Sequence, residues 1–234
     1  YVCSEITIQQ DNEYRGANYL LALLVVILQA ITLLATVIGS RSGGCDGGMK
    51  KVILSLALGT FGLGMAEFGI MGVLTELAHN VGISIPAAGH MISYYALGVV
   101  VGAPIIALFS SRYSLKHILL FLVALCVIGN AMFTLSSSYL MLAIGRLVSG
   151  FPHGAFFGVG AIVLSKIIKP GKVTAAVAGM VSGMTVANLL GIPLGTYLSQ
   201  EFSWRYTFLL IAVFNIAVMA SVYFWVPDIR DEAK

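Results

Sequence analysis

Three ionisable side chains, Glu67, Arg146 and His153, lie inside long apolar runs of this sequence and are the first candidates for chemistry. The stretch 142–158 holds two of them, together with one proline and four glycines. An arginine near the centre of a bilayer costs roughly 2.5–3.5 kcal/mol on insertion scales, so such groups are usually paired or line a pathway. These residues therefore predict contact with a substrate or a part in proton coupling.

Glu67 and Arg146 are predicted to lie at similar depth. Glu67 is about 15 residues, or roughly 22 Å, from the start of its run. Arg146 is about seven residues, or about 10 Å, from the opposite face of a core roughly 30 Å thick. An ion pair or a shared water-filled cavity is possible, and a purely structural pair is the alternative.

His153 follows Arg146 by two helical turns and so shares its helix face. It could titrate near neutral pH, or it could be a histidine hydrogen-bonded inside the bundle. Further polar or aromatic candidates for a cavity are Tyr94, Tyr95, His90 and Asn188.

The elements that position these residues are membrane helices. Hydrophobic residues make up 59% of the chain and charged residues only 10%, which indicates a polytopic protein whose first partner is the lipid bilayer. Short alternating segments typical of a membrane barrel are absent, so we predict an all-α membrane protein. The net charge of +3 gives no sign of nucleic-acid readout. The seven predicted spans are about 18–39, 52–77, 86–109, 116–135, 138–165, 173–199 and 204–226.

The first span is set apart from the other six by a glycine- and serine-rich tract. We interpret 1–39 as an extra transmembrane segment with an extracytoplasmic lead and 40–48 as a flexible linker, whose composition is typical of engineered sequences. Residues 49–234 then form a six-span unit of different origin that starts with Met49. A natural glycine-rich loop is the alternative.

Within 49–234, basic residues fall in every second loop and so share one face of the membrane, whereas the opposite loops carry Arg205 as their only cation. The positive-inside rule makes the basic face cytoplasmic, with residues 49 and 234 inside and residue 1 outside. We therefore predict a multi-pass protein of the bacterial inner membrane. The residues that carry this orientation are Lys50, Lys51, Arg112, Lys116, Lys166, Lys169, Lys172, Arg230 and Lys234.

Glycines recur at the four-residue spacing that lets helices approach closely. This predicts tight helix packing or room for motion, with ordinary packing as the alternative. Pro152 and Pro193 lie inside spans, where a proline removes a backbone hydrogen bond and kinks the helix. The glycine pairs and triplets are Gly98 with Gly102, Gly150 with Gly154 and Gly158, Gly179 with Gly183, and Gly191 with Gly195.

Three stretches, 59–68, 146–158 and 188–205, carry a family resemblance. Across 49–234 the sequence resembles the N-terminal six-helix half of a major facilitator superfamily transporter, and in particular the sugar-efflux members of the drug:proton antiporter-1 group. The resemblance implies a proton-driven exporter of sugars or small amphipathic compounds. It matches Arg146 to a fourth-helix arginine linked to proton transfer. It also places Gly191, Pro193 and Gly195 where the family's antiporter motif belongs, although Gly191-Ile-Pro193 replaces the usual glycine–proline pair there.

The resemblance also shows departures. The loop with Arg112 and Lys116 lacks the aspartate and both glycines of the family's pattern G-x-x-x-D-R-x-G-R-K. The family implies twelve spans, so this chain is expected to be one half, inactive in transport alone. Its partners would be the missing C-terminal half, protons and a small-molecule substrate. For an engineered fusion that serves as a folding substrate, they would be the translocon, ribosome or other insertion machinery.

Other function classes are less well supported. A seven-helix receptor or retinal protein fits the span count, but no lysine lies deep in the last span. No serine–histidine, paired-aspartate or metal-ligand arrangement occurs within the spans, so we expect no enzyme, metal or cofactor.

Overall fold

The structure, a computed structural model, describes residues 47–109 and 113–229 as a bundle of α-helices. All six helices are long and apolar enough to cross a membrane, which confirms the prediction of an all-α membrane protein. They are α1 (Gly47–Val81), α2 (Ile85–Phe109), α3 (Leu115–Leu135), α4 (Tyr139–Ile167), α5 (Val173–Glu201) and α6 (Trp204–Trp225).

The observed helices are close to the predicted spans. The largest difference is at the start of α1, which was predicted at 52 and begins at Gly47. Gly47 and Gly48, assigned from the sequence to the linker, belong to the first turn of this helix. The predicted leading span and the rest of the linker lie outside the described residues.

Local sequence explains where the helices begin and end. Serines precede α3, α4 and α6, and the hydroxyl of each accepts a hydrogen bond from a backbone N–H of the first turn, as an N-cap does. Gly82 follows α1 with φ of 71°, and Gly171 forms the turn before α5 with φ of 89°. Both are left-handed conformations that favour glycine.

The helices pack as interlocked pairs. α1 lies mainly against α5 and also contacts α6, α2 lies against α4, and α3 lies between α4 and α6. Lys50, Lys116 and Lys169 all lie at one end of the bundle, which is called the basic end below. The α1–α2, α3–α4 and α5–α6 turns form the opposite end.

Glycines bring the backbones of α2 and α4 into contact. A Cβ added at Gly102 would lie less than 3 Å from the backbone of Phe151, and one at Gly150 would do the same at the Tyr95 carbonyl. Real side chains never approach backbone this closely, so both positions require glycine while the helices stay in place.

α1 and α5 approach in the same way. A Cβ at Gly191 would lie 2.8 Å from the Cβ of Phe68, and one at Gly195 would lie 2.6 Å from the carbonyl oxygen of Gly69. The prediction of a packing role does not hold for Gly158, which is exposed and where a Cβ would meet nothing within 4 Å. Gly154 is intermediate, since its Cβ would lie 3.2 Å from that of Ala103.

Three prolines lie inside the helices. Pro152 in α4 and Pro193 in α5 are those predicted from the sequence, and Pro104 in α2 is a third. Pro152 is buried, whereas Pro193 is exposed on α5.

Candidate functional site

Arg146 lies on α4 and is completely buried. Its Nη1 donates a hydrogen bond of 2.7 Å to the carbonyl oxygen of Ala66 on α1. Its Nε donates one of 3.3 Å to the carbonyl oxygen of Met91 on α2. Charge-assisted bonds of this kind offset part of the cost of placing a cation in an apolar interior.

Aromatic rings surround the same guanidinium group. Its central carbon lies 4.4 Å from the ring centroid of Tyr95, 5.6 Å from that of Phe133 and 5.7 Å from that of Phe208. These rings come from α2, α3 and α6, and their faces attract a cation. One side chain on α4 therefore contacts four other helices.

Glu67 lies on α1 immediately after Ala66, so the predicted similarity in depth with Arg146 is present in the structure. The two side chains form no direct ion pair. Instead, the Glu67 carboxylate oxygen Oε2 lies 3.6 Å from Nε2 of His153. The guanidinium group already has two carbonyl partners and three aromatic neighbours, and one of those carbonyls occupies the space towards α1.

The exposure of the two partners differs. The Glu67 side chain is 33% exposed, whereas that of His153 is only 8% exposed. Among the described carboxylates, Glu67 alone lies away from a helix end, since Glu76, Glu201 and Asp228 lie near or beyond one. The site thus presents a carboxylate in the middle of the bundle with one open side.

Tyr95 completes the site from α2. Its hydroxyl lies 2.7 Å from Nδ1 of His153 and 3.2 Å from the carbonyl oxygen of Leu63. The Tyr95 side chain is buried, and the Phe157 ring stacks on the imidazole with ring centroids 5.6 Å apart. A continuous polar chain therefore runs from Glu67 through His153 to Tyr95, and the Tyr95 ring lies against Arg146.

The structure places the other predicted residues elsewhere. Tyr94 and His90 both contact the hydroxyl of Tyr139 near the start of α4, at 3.4 Å and 3.0 Å. Asn188 is exposed on α5. Lys116 places its Nζ 5.0 Å from the ring centroid of Tyr223 at the basic end.

Arg112, the other residue of the predicted loop motif, lies outside the described residues. Of the residues proposed from the sequence, the structure thus brings together Glu67, Arg146, His153 and Tyr95.

Sequence reasoning missed the aromatic neighbours Phe133 and Phe208. Both are fully buried and pack against each other with ring centroids 4.5 Å apart. No spacing in the sequence connects them to Arg146, because they come from different helices. The only available signal was general, since a buried arginine favours aromatic faces as neighbours.

The arrangement combines a fixed charge with a variable one. Arg146 is held by two carbonyls and stays charged in proteins, while Glu67 can gain or lose a proton on its exposed side. The imidazole between Glu67 and Tyr95 can donate or accept at either nitrogen. These side chains therefore place proton donors and acceptors in contact with one another.

Comparison with known proteins agrees with this organisation. Residues 56–234 match the family model described as Major Facilitator Superfamily. The inner membrane transport protein YdhP of Escherichia coli (strain K12) is 41% identical over 175 residues, which is 75% of this chain and 45% of that protein. The uncharacterized MFS-type transporter YtbD of Bacillus subtilis (strain 168) is 35% identical over 75% of this chain and 44% of its own.

A chloramphenicol resistance protein of Streptomyces lividans is 28% identical over 165 residues, covering 70% of this chain and 42% of that protein. The chain therefore spans less than half the length of these relatives. The family match covers most of the sequence and agrees with the six membrane-spanning helices. This chain belongs to the Major Facilitator Superfamily.

Proposed function

We propose that this chain is one half of a proton-coupled efflux permease for sugars or small amphipathic compounds in a bacterial inner membrane. The observation that carries the proposal is the partly exposed Glu67 carboxylate in the middle of the bundle, in contact with His153. Ionisable groups at this depth are costly and commonly line substrate or proton pathways. The relatives that are named as transporters support the transport role.

We assign different roles to Arg146 and Glu67, because their burial and contacts differ. Arg146 is completely buried and bound to two carbonyls, so it holds the site together and fixes its positive potential. Glu67 is the accessible group, so it exchanges protons or meets the substrate. In this proposal Arg146 positions the surrounding helices and supplies a positive charge, and it does not contact the substrate.

Transport requires a second bundle. Alternating access in this class of fold comes from two halves that rock about a site near the bilayer midplane. A complementary six-helix half is therefore the proposed partner, with the basic end in the cytoplasm. Mass spectrometry of the purified complex separates this partner from insertion machinery, because translocon or ribosome subunits would identify the latter.

The test is uptake into everted inner-membrane vesicles, with L-arabinose and chloramphenicol as probes. The chain is expressed alone or together with the C-terminal half of YdhP. We expect uptake driven by a pH gradient only when both halves are present, and loss of gradient-driven uptake in Glu67→Gln.

The matched control is Glu76→Gln, because Glu76 lies on the same helix near its end and accepts a hydrogen bond from the Asn80 side chain. It should behave like the wild type. Equal gradient-driven uptake by the Glu67→Gln variant would remove Glu67 from the coupling mechanism.

A further inference from the structure

The Tyr95 hydroxyl lies between two acceptors and can donate to only one of them at a time. One is the carbonyl oxygen of Leu63 at 3.2 Å, which can only accept. The other is Nδ1 of His153 at 2.7 Å, which accepts or donates according to the tautomer. Which of the two acceptors the Tyr95 hydroxyl uses therefore depends on which nitrogen of the His153 ring carries the proton.

We propose that Tyr95 is a positioning residue that matches the tautomer of His153 to the charge of Glu67. The inference rests on the proposed function, in which Glu67 is the group that exchanges protons. It adds that the neighbouring histidine responds to this exchange by moving its ring proton from one nitrogen to the other while it stays neutral.

When Glu67 is ionised, the favourable arrangement places the ring proton on Nε2. This N–H then points at the Glu67 carboxylate, which lies 3.6 Å away. The distance is about 0.5 Å longer than a hydrogen bond, so a small side-chain adjustment completes one. Nδ1 is then an acceptor, and the Tyr95 hydroxyl donates to it.

When Glu67 is protonated, the direction of hydrogen-bond donation along Glu67, His153 and Tyr95 reverses. The carboxylic acid donates to Nε2, so the ring proton must be on Nδ1, which donates to the Tyr95 oxygen. The Tyr95 hydroxyl then turns to the Leu63 carbonyl. The ionised state holds two protons on these three side chains and the protonated state holds three, so one proton is taken from solvent. The added proton enters at Glu67, whose side chain is 33% exposed, while the imidazole loses a proton at Nε2 and gains one at Nδ1.

The surroundings favour a neutral histidine in both states. Arg146 lies 4.4 Å from the ring centroid of Tyr95, and the Tyr95 and His153 centroids are 5.7 Å apart. A second cation buried beside this guanidinium would be repelled. A tautomer exchange avoids that repulsion, because the imidazole stays neutral. Both of its ring nitrogens keep a hydrogen-bonding partner in either tautomer.

Titratable groups on the surrounding helices are few. Glu67 is supplied by α1, Tyr95 by α2, the buried thiol of Cys126 by α3, and Arg146 by α4, the helix of His153 itself. The titratable residues of α5 and α6 in the described structure lie near the helix ends: Tyr197, Glu201, Arg205, Tyr206 and Tyr223.

The fixed position of Tyr95 suits it to this role. Gly150 on α4 lies so close to the Tyr95 carbonyl that the backbones of α2 and α4 are in contact. This contact fixes the Tyr95 backbone, and its buried phenol lies between Arg146 and His153. Tyr94, the preceding residue, contacts Tyr139 instead and provides a matched control.

The experiment is nuclear magnetic resonance of the whole chain in lipid nanodiscs across a pH series. Histidine ring nitrogens carry ¹⁵N, whose shift shows which nitrogen is protonated, and glutamate carboxyl carbons carry ¹³C. The chain has four histidines, and His153→Gln identifies the signal of interest. His79 is exposed at the end of α1 and serves as the reference for a histidine in contact with solvent.

We expect the His153 proton to move from Nε2 to Nδ1 over the same pH interval in which the Glu67 carboxyl becomes protonated. Tyr95→Phe should abolish the exchange and leave one tautomer at every pH, because Nδ1–H would have no acceptor. Tyr94→Phe should retain the exchange. The wild-type titration decides the matter even if Tyr95→Phe does not fold.

Two results would overturn the inference while leaving the proposed function intact. One is a Glu67 carboxyl that titrates beside a His153 of unchanged tautomer, and the other is a His153 that acquires both ring protons on acidification. A Glu67 carboxyl that stays in one form throughout would overturn both the inference and the assignment of Glu67 as the exchanging group.

Discussion

At the scale of single residues, Arg146 differs most from what the sequence predicted. Its burial and depth follow from the apolar stretch around it, but its contacts do not. A pair with Glu67 was one alternative, whereas the structure gives it the carbonyl oxygens of Ala66 and Met91. Backbone carbonyls carry no sequence signal, so this outcome could not be predicted from residue types.

The first prediction concerns Arg146→Lys. A lysine keeps the positive charge but has a single nitrogen, which cannot reach both carbonyls and also lie flat against Tyr95. Loss of one hydrogen bond to a charged group should lower the free energy of unfolding by about 1.5–3 kcal/mol. Labelling of the buried thiol of Cys126 during heating in detergent reports unfolding, once Cys3 and Cys45 are replaced with serine.

Arg205→Lys is the control for this measurement. Arg205 also donates to a backbone carbonyl, that of Thr134, and packs on Trp204 with its guanidinium carbon 4.6 Å from the ring. It lies at the start of α6, where water can replace the lost contact, so the effect should be smaller. Equal labelling temperatures for Arg146→Lys and the wild type would show that the carbonyl contacts contribute little.

At the scale of helices, most of the fold could be predicted from the sequence. The six described helices were each predicted, because lipid requires long apolar helices and the polar turns between them are short. Glycine spacing likewise indicated close packing, but it could not say which helix each glycine faces. Gly150 and Gly158 belong to the same spaced series, yet one touches the backbone of α2 and the other faces open space.

This contrast gives the second prediction. Gly102→Ala places a methyl group within 3 Å of the Phe151 backbone and must push α2 away from α4, at a cost of about 1–3 kcal/mol. Gly158→Ala has room for the methyl group and gains helix propensity, so its stability should be unchanged or higher by up to about 1 kcal/mol. The same Cys126 labelling assay compares the two variants.

The opposite order of stability would contradict the close backbone contact between α2 and α4. The displacement in Gly102→Ala should also disturb the tautomer exchange of His153, because Tyr95 lies on α2.

At the scale of the whole molecule, the bundle presents many large apolar side chains to its surroundings, among them Val100, Leu108, Leu189 and Phe224. Lipid covers some of these in a membrane, and a complementary half covers others in the proposed transporter. The sequence predicts the orientation of the bundle from its lysines and arginines, and this orientation stays a prediction.

The third prediction tests it with single cysteines in an otherwise cysteine-free chain. Ser137 lies in the α3–α4 turn and Lys169 in the α4–α5 turn, and both are exposed. The positive-inside rule places Lys169 in the cytoplasm. A membrane-impermeant maleimide added to intact cells should label Ser137→Cys and leave Lys169→Cys unlabelled until the membrane is opened. The reverse pattern would show that the basic end faces outwards.

The central claim is that Glu67 couples protons to substrate movement, and the most direct test measures proton movement itself. Proteoliposomes that contain this chain and a complementary half receive a gradient of chloramphenicol without a pH gradient, and a trapped pH-sensitive dye reports protons. Wild-type protein should move protons against the chloramphenicol flux, whereas Glu67→Gln should move none even where chloramphenicol still crosses. Proton movement of equal size in Glu67→Gln would contradict the account.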